Sequence, residues 1–228
     1  MNTLGKCLLA AGLLGLSLGT QAYQSVYQGS LGKQAITLVI EKTNDYKHGF
    51  YFYDRYRTPI RLKRSVNNGR QLSMDELDSS GLPTARLRFY NPDDNGASKP
   101  MLGTWTAYAN ARQLPLELRL VADFGHQQVW PAGTPSLPQA ASTERFYFQI
   151  PLADDHDRVK TIEVMDKASG KRVQTLDVGL PGCYSQGIDS VKVRLEGGST
   201  QVLLETNSYC LGKVFEWREA KGQFEALN

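Results

Sequence analysis

Short apolar runs alternate with turn sequences from residue 23 to residue 121, and this alternation constrains the fold more than any other feature. No stretch of helical period interrupts it, and the spacing of roughly 10–12 residues is typical of consecutive antiparallel strands. Gly, Asn, Asp and Ser separate the runs, as in Asn67-Asn68-Gly69 and Ser79-Ser80-Gly81. The pattern predicts eight strands, at residues 26–31, 35–41, 49–53, 60–66, 71–76, 85–90, 101–107 and 114–120.

A meander of eight strands leaves two exposed edges unless it closes on itself. We therefore predict an all-β N-terminal domain, residues 23–121, whose antiparallel meander curls into an eight-stranded barrel or half-barrel. Single strands carry the required alternation of side chains. Ile60 and Leu62 are expected to face inward, and Arg61 and Lys63 outward.

The second half of the chain is predicted to form a smaller β domain, residues 144–228. Three of the ten prolines fall between residues 122 and 143, which predicts a Pro-rich linker or a long ordered loop. The candidate strands beyond it are residues 145–150, 161–165, 173–178, 190–195, 201–206 and 213–217, with a short last strand near Phe224.

Residues 1–22 have the pattern of a secretory signal peptide. Lys6 precedes an uncharged apolar run that ends in small residues, and cleavage is expected between Ala22 and Tyr23. The run is shorter than the roughly 20 apolar residues of a membrane span. We therefore expect a periplasmic or secreted protein without a membrane span.

The remaining chain is close to neutral. Of 26 Lys and Arg residues only Lys6 lies in the signal, against 23 Asp and Glu residues beyond it, so the net charge is +2. That balance does not favour nucleic-acid binding. Cleavage leaves two cysteines, Cys183 and Cys210, and an even pair in an exported protein predicts a disulfide. It would contribute about 3.5 kcal/mol by loop closure.

Residues 25–121 resemble a β-barrel module of unknown function that is common in exported bacterial proteins. The matching pieces are Tyr27-x-Gly29-x-Leu31-Gly32 before Ile36-x-Leu38, Gly49-x-Tyr51-x-Tyr53, Ile60-x-Leu62, Leu72 before Glu76, Gly103-x-Trp105 and Leu114-Pro115-Leu116-x-Leu118. These are signatures of a fold, and the resemblance implies no activity.

The second half resembles, faintly, periplasmic β-rich proteins that include inhibitors of lysozyme-type peptidoglycan hydrolases. The matching pieces are Ile162-Glu163-Val164, Gly170-Lys171-x-Val173-Gln174-Thr175-Leu176, Ile188-Asp189-x-Val191, Val214-Phe215-x-Trp217 and Gly222-x-Phe224. Residues 195–199 lack the calcium loop that such proteins often carry, so no metal is predicted. The resemblance implies a binding protein more than an enzyme.

The densest unusual run is Phe50-Tyr51-Phe52-Tyr53-Asp54-Arg55-Tyr56-Arg57. Tyr and Arg supply large contact areas and charge-assisted hydrogen bonds, so an aromatic and basic surface suits a carbohydrate or an acidic partner. A well-packed strand pair with a solvated outer face explains the same run. The predicted binding residues are Tyr51, Tyr53, Arg55, Arg57, Arg61 and Lys63, and the loop between the two cysteines is a second candidate surface.

Other polar clusters have simpler interpretations. Asp75, Glu76 and Asp78 could act as paired carboxylates in glycoside hydrolysis, but solvated acids beside a turn explain them as well. Asp154, Asp155, His156 and Asp157 lack the regular spacing of a calcium loop. His48 and His126 are interpreted as surface residues. Beyond the predicted signal peptide, which holds Gly15-Leu16-Ser17-Leu18-Gly19 in its apolar run, the sequence contains no Gly-x-Ser-x-Gly, phosphate-loop or His-Glu-x-x-His motif.

The sequence thus favours an exported, non-enzymatic binding protein without a cofactor. Its expected partner is an envelope protein, such as a peptidoglycan hydrolase that it inhibits or sequesters. Two alternatives stay open at this point. One is a carrier that holds a small ligand or lipid in the barrel, and the other is an envelope hydrolase with an unrecognised site.

Overall fold

The structure is a computed structural model, and it describes residues 23–42, 46–67, 71–90, 99–123, 136–151, 159–178, 190–205 and 213–227. These residues form sixteen strands and a 3-10 turn, Glu219–Lys221. The first eight strands are β1 (Tyr23–Leu31), β2 (Gln34–Lys42), β3 (Tyr46–Tyr53), β4 (Ile60–Asn67), β5 (Gln71–Leu77), β6 (Pro83–Tyr90), β7 (Met101–Ala107) and β8 (Gln113–Asp123). The other eight are β9 (Ser136–Ser142), β10 (Phe146–Pro151), β11 (Thr161–Asp166), β12 (Arg172–Asp177), β13 (Val191–Glu196), β14 (Ser199–Leu204), β15 (Val214–Arg218) and β16 (Gln223–Ala226).

The first eight strands form a closed antiparallel barrel in sequence order. Each strand pairs with its neighbours in the chain, and β1 closes the ring by pairing with β8 as well as with β2. The predicted all-β meander is therefore confirmed, in its closed form. Closure pairs the two edges that an open sheet of eight strands would leave exposed.

The interior of the barrel is occupied by large apolar side chains. One row runs directly across the strands from Leu120 through Tyr27, Leu38 and Tyr51 to Ile60. Eight-stranded barrels are just wide enough for side chains to fill them. The buried interior residues are Tyr27, Leu31, Ile36, Leu38, Ile40, Tyr51, Leu62, Leu72, Met74, Leu87, Phe89, Met101, Leu116 and Leu118.

Glycines allow neighbouring strands to approach closely at several points of the barrel, as Gly29 and Gly103 illustrate. A Cβ atom on Gly29 would lie 2.0 Å from the carbonyl oxygen of Glu117, and one on Gly103 would lie 2.4 Å from that of Arg88. Glycine inside a strand commonly marks such a close backbone approach. Both glycines belong to the sequence pieces that resemble the exported barrel module, so those pieces have a structural explanation.

The second half is also all-β and contains two four-stranded antiparallel sheets, ordered β12-β11-β10-β9 and β13-β14-β15-β16. One expectation needs correction: residues 136–142, predicted to belong to a linker, form β9. Pro138 obscured this strand in the sequence. It is accommodated because β9 is an edge strand of its sheet, where proline need not complete a ladder.

Two glutamine side chains connect the edges of these sheets. Gln174 on β12 donates to the Phe224 carbonyl (2.7 Å) and accepts from the Phe224 amide (2.9 Å) on β16. At the other pair of edges, Gln139 on β9 accepts from the Val191 amide of β13 (3.2 Å). Each side-chain amide takes the place of a peptide group in the missing ladder, so the two sheets form a nearly closed unit.

An apolar strip on the outside of the barrel packs against this second unit. Ala122, Val26, Val39 and Phe50 lie directly opposite one another across β8, β1, β2 and β3. All four, together with Phe52, belong to the same buried cluster as the core of the C-terminal sheets. Burial of outward-facing apolar side chains thus joins the two halves of the protein.

Several predicted features lie outside the described residues, namely the signal peptide at residues 1–22 and the two cysteines, Cys183 and Cys210. The exported location and the disulfide therefore stay predictions. Within the described part of the chain, no helix is long and apolar enough to cross a membrane.

Replacing Gln174 tests the connection between the sheet edges. We expect Gln174→Ala to lower the free energy of unfolding by about 1–2 kcal/mol, since it leaves the amide and carbonyl of Phe224 without their partner. Urea unfolding measures the change. Gln113→Ala, at an exposed position on β8, is the control and should stay within about 0.5 kcal/mol of the parent protein. Equal losses in both variants would contradict the proposed role of Gln174.

Candidate functional site

The turn between β3 and β4, residues 54–59, has a tightly defined backbone. The amides of Tyr56 and Arg57 both donate to the carbonyl of Tyr53 at 2.8 Å, and the amide of Asp54 donates to Ala35 (3.0 Å). Arg57 has a φ of 54°, in the left-handed region that non-glycine residues rarely adopt. Such backbone strain persists only where surrounding contacts enforce it.

The contacts that enforce the left-handed backbone of Arg57 come from the second half of the protein. The Arg57 guanidinium donates through Nη1 to the carbonyl of Lys167 and lies 5.9 Å from the centre of the Tyr147 ring. It also lies over Gly170, where a Cβ atom would come within 2.5 Å of Nη2. Arg57 therefore fastens the turn to the connection between β11 and β12.

The side chain of Lys167 also contacts the turn. Its ammonium group donates to the Thr58 hydroxyl (3.0 Å) and to the Ser142 hydroxyl (3.3 Å). The side chain is largely buried, and burial lowers the pKa of Lys167, while the charge of Glu144 acts in the opposite direction. The turn is thus held through Arg57 and Thr58.

Two side chains of the turn point away from these contacts. Tyr56 is 58% exposed, and the Arg55 guanidinium lies 5.5 Å from the centre of its ring. The Tyr56 ring meets the Tyr53 ring edge-on at 6.4 Å. Arg55 and Tyr56 therefore form a stacked, exposed pair on a fixed backbone, and we refer to them as the turn pair.

The turn also borders a cleft between the barrel and the C-terminal sheets, and Asp54 and Arg57 line it. The cleft has a volume of about 360 Å³, within the range of small-molecule sites. Asp54 lies in its wall and accepts a hydrogen bond from the Thr37 hydroxyl (2.9 Å). The lining residues are Val26, Gln28, Thr37, Phe52, Asp54, Arg57, Val121, Ala122, Ser136, Pro138, Tyr147 and Gln149.

A separate polar cluster lies inside the barrel, near the end where β5 turns into β6. Glu76 accepts hydrogen bonds from the Tyr51 hydroxyl (2.7 Å), the Trp105 indole (2.9 Å) and the Thr84 hydroxyl (3.1 Å). Burial, followed by the adjacent Glu76 charge, raises the pKa of Tyr51 far above its ordinary value. The Tyr51 hydroxyl therefore stays protonated and donates to Glu76.

Asp75 faces the opposite side of the same strand. It accepts from Arg86 at 2.8 and 3.3 Å and from the Tyr108 hydroxyl at 2.7 Å. Burial alone would raise the pKa of Asp75, but the hydrogen bonds from Arg86 and Tyr108 outweigh it and hold that pKa below the ordinary 3.8. Asp75 and Glu76 thus point to opposite faces and do not form a carboxylate pair.

The six predicted binding residues do not share one surface. Tyr51 was expected to be exposed, but it is 1% exposed inside the barrel, where Tyr53 meets it edge-on at 5.7 Å. Arg57 faces the second half of the protein. Arg55 is exposed in the turn, and Arg61 and Lys63 are exposed on the outer face of β4. The alternation of β3 was predicted correctly, but both of its faces are covered.

The other polar candidates have structural roles or lie elsewhere. Asp78 accepts from the amide and the hydroxyl of Ser80 at 2.8 and 2.7 Å and so stabilises its own turn. His48 lies on β3 with its side chain half exposed. Among the described residues, no group of three or more His, Cys, Asp or Glu side chains could hold a metal ion. Asp154, Asp155, His156, Asp157 and His126 lie outside the described residues.

Sequence reasoning missed two residues of this region, Tyr147 and Lys167. Tyr147 contacts Arg57 and Lys167 contacts Thr58 across about 90 to 110 positions of sequence, and no local pattern indicates such contacts. Lys167 stands in a polar turn sequence that is typical of a solvated lysine. Only the packing of the two halves buries it.

Comparisons with protein families, with curated proteins and with solved structures found no significant match. The two resemblances described for the sequence therefore stay predictions.

The strain at Arg57 can be measured with paired substitutions. Arg57→Ala should lower the free energy of unfolding by about 2 kcal/mol, because it removes a charged hydrogen-bond donor and keeps the left-handed backbone. Arg57→Gly should cost about 1 kcal/mol less, since glycine adopts this φ without strain. At Arg55 the order should reverse, with alanine more stable than glycine. Chemical denaturation of the four variants gives the comparison, and the same order at both positions would contradict a strained Arg57.

The lowered pKa of Asp75 predicts a pH-dependent contribution to stability. An acid with a depressed pKa in the folded state stabilises the protein above its unfolded pKa, and the effect disappears as the pH falls through the folded value. Asp75→Asn should therefore be less stable than the parent at pH 7, and the difference should shrink below about pH 3.8. Thermal unfolding between pH 2 and 7 tests this. In an Arg86→Met background the difference at pH 7 should be smaller; an unchanged difference would contradict the assigned cause.

Proposed function

We propose that this chain is an exported binding protein that docks onto another envelope protein through the turn pair, Arg55 and Tyr56. The proposed partner is a cell-wall-active protein such as a peptidoglycan hydrolase, which the docking inhibits or sequesters. The observation that carries the proposal is the combination of an exposed Tyr–Arg stack with a backbone held from both halves of the protein.

The chemistry of the turn pair favours a protein partner. Tyr and Arg are over-represented among the few residues that dominate protein interfaces. A turn that is already held in one conformation loses less entropy when it binds, so more of the contact energy remains as affinity. Arg57 and Thr58 supply that restraint through Lys167.

The charge near the turn favours an acidic surface on the partner. Arg55 is exposed in the turn, and Arg61 and Lys63 follow it on the outer face of β4. Enzymes that cleave glycosidic bonds generally carry two carboxylates at the active site. A protruding arginine complements such a site, and this agrees with the faint resemblance of the second half to hydrolase inhibitors.

The two alternative functions have less support. Carriage of a lipid inside the barrel would have to displace interior side chains such as Leu38, Leu87 and Phe89, all of which are fully buried. Hydrolysis by Asp75, Glu76 or Asp78 would require acids that are already engaged, because each accepts several hydrogen bonds within the fold.

A double substitution at the turn pair tests the proposal. Protein expressed from the full-length sequence is mixed with envelope peptidoglycan hydrolases and with a lysozyme, and both binding and the rate of peptidoglycan lysis are measured. The parent should slow lysis by at least one of these enzymes. Arg55→Ala with Tyr56→Ala should weaken the inhibition about thirtyfold, the effect expected for removal of a dominant contact pair.

The matched control is a second exposed arginine and tyrosine on the barrel, Arg88 and Tyr90 of β6. Arg88→Ala with Tyr90→Ala removes the same side chains at a surface that the proposal does not use, so it should leave inhibition unchanged. Equal losses in both double variants would refute the assignment to the turn pair. If the parent inhibits none of the enzymes, the proposed partner class is wrong.

A further inference from the structure

We infer that the cleft between the barrel and the C-terminal sheets binds a small neutral carbohydrate of one or two sugar rings. Arg55 and Tyr56 are not among the residues that line the cleft, so this site is distinct from the turn pair, and the inference does not depend on the proposed protein partner. It rests on the shape of the cleft, on the balance of charge in its wall and on polar side chains that have no partner within the described fold.

The lining of the cleft is mixed, and its apolar part is partly aromatic. The Phe52 and Tyr147 rings lie 6.3 Å apart at a tilt of 44°, and they join surfaces from the two halves of the protein. Sugar rings present faces of C–H groups, which pack on aromatic and aliphatic surfaces much as other apolar groups do. The remaining apolar lining comes from Val26, Val121, Ala122 and Pro138.

The charges in the cleft wall balance each other. Among the described residues that line it, Asp54 and Arg57 are the two charged ones, one acidic and one basic. One carboxylate oxygen of Asp54 accepts a hydrogen bond from Thr37, and one guanidinium nitrogen of Arg57 donates to the Lys167 carbonyl. The other polar atoms of both side chains can still form hydrogen bonds. A wall without net charge gives little attraction to an anion or a cation. It suits a neutral ligand that both donates and accepts hydrogen bonds.

The uncharged polar groups have that same dual character. In the described part of the structure, the side-chain amides of Gln28 and Gln149 and the hydroxyl of Tyr147 have no hydrogen-bond partner, and all three line the cleft. An amide or a hydroxyl can donate and accept at once, and so can each hydroxyl of a sugar. Burial raises the pKa of Tyr147, with the charge of Arg57 opposing it, so its hydroxyl carries a proton at neutral pH.

The volume sets the size of the ligand. About 360 Å³ is at the lower end of the range for small-molecule sites. One or two sugar rings match this size, whereas a long glycan chain would have to extend beyond the cleft.

Binding can be tested with N-acetylglucosamine and its β-1,4-linked disaccharide as the probes. Saturation-transfer NMR and calorimetry, with protein expressed from the full-length sequence, measure the affinity. Gln149→Leu removes the amide while retaining a similar size, and Tyr147→Phe removes only the hydroxyl. Each should raise the Kd by up to about tenfold, as expected for loss of one neutral hydrogen bond.

Two controls make the outcome decisive. Gln113→Leu, an exposed glutamine of β8 outside the cleft, should bind as the parent does. Thermal unfolding of the cleft variants, each of which preserves the side-chain volume, reports whether they fold. Absence of binding by both probes at millimolar concentration would overturn the inference, as would unchanged affinity in folded cleft variants. Preferential binding of glutamate or of glucose 6-phosphate would overturn the assignment to a neutral ligand.

The readouts of the two proposals are separate. Gln149→Leu and Tyr147→Phe leave Arg55 and Tyr56 in place, so inhibition of a hydrolase by these variants should equal that of the parent. Loss of sugar binding with retained inhibition, or the reverse result in the turn-pair variant, would show which of the two sites has been affected.

Discussion

Burial of strand β3 on both faces is the constraint from which the rest of the structure follows. Tyr51 points into the barrel, and its neighbours Phe50 and Phe52 point out. An outward phenylalanine on a solvated barrel would forgo about 1.5–3 kcal/mol of burial energy. The C-terminal sheets recover this energy by covering Phe50, Phe52 and the apolar row beside them. The barrel alone would expose that strip to water.

This packing also determines where functional groups can lie. The β3–β4 turn follows the covered residues Phe50 and Phe52 in the chain, and it contacts the second half of the protein through Arg57 and Thr58. One side of the turn is held there, and the other side remains exposed with Arg55 and Tyr56. The cleft lies beside the same turn, and its lining includes Asp54 and Arg57 of the turn together with Gln28, Thr37 and Gln149.

Local sequence patterns predicted the meander well because seven of its eight strand pairings join neighbours in the chain, whereas they left open whether β1 closes onto β8. Each hairpin has its own turn residues and its own alternation, and these suffice to indicate eight strands and an inward face. The role of β3 could not be predicted in the same way. Alternating aromatic residues indicate two apolar faces, but the surface that covers the outer one is supplied by residues about a hundred positions later, such as Tyr147.

At the sheet edges of the second half, the roles of single side chains also depend on contacts that local sequence patterns do not predict. A glutamine in a strand has no sequence signature that distinguishes a solvated amide from one that completes a backbone ladder. Gln174 and Gln139 differ from exposed glutamines only because an unpaired strand edge lies opposite them. An unpaired edge is a site of aggregation unless something covers it. We infer that these two amides have two roles. They hold the sheets together, and they form hydrogen bonds to strand edges that would otherwise remain open to another chain.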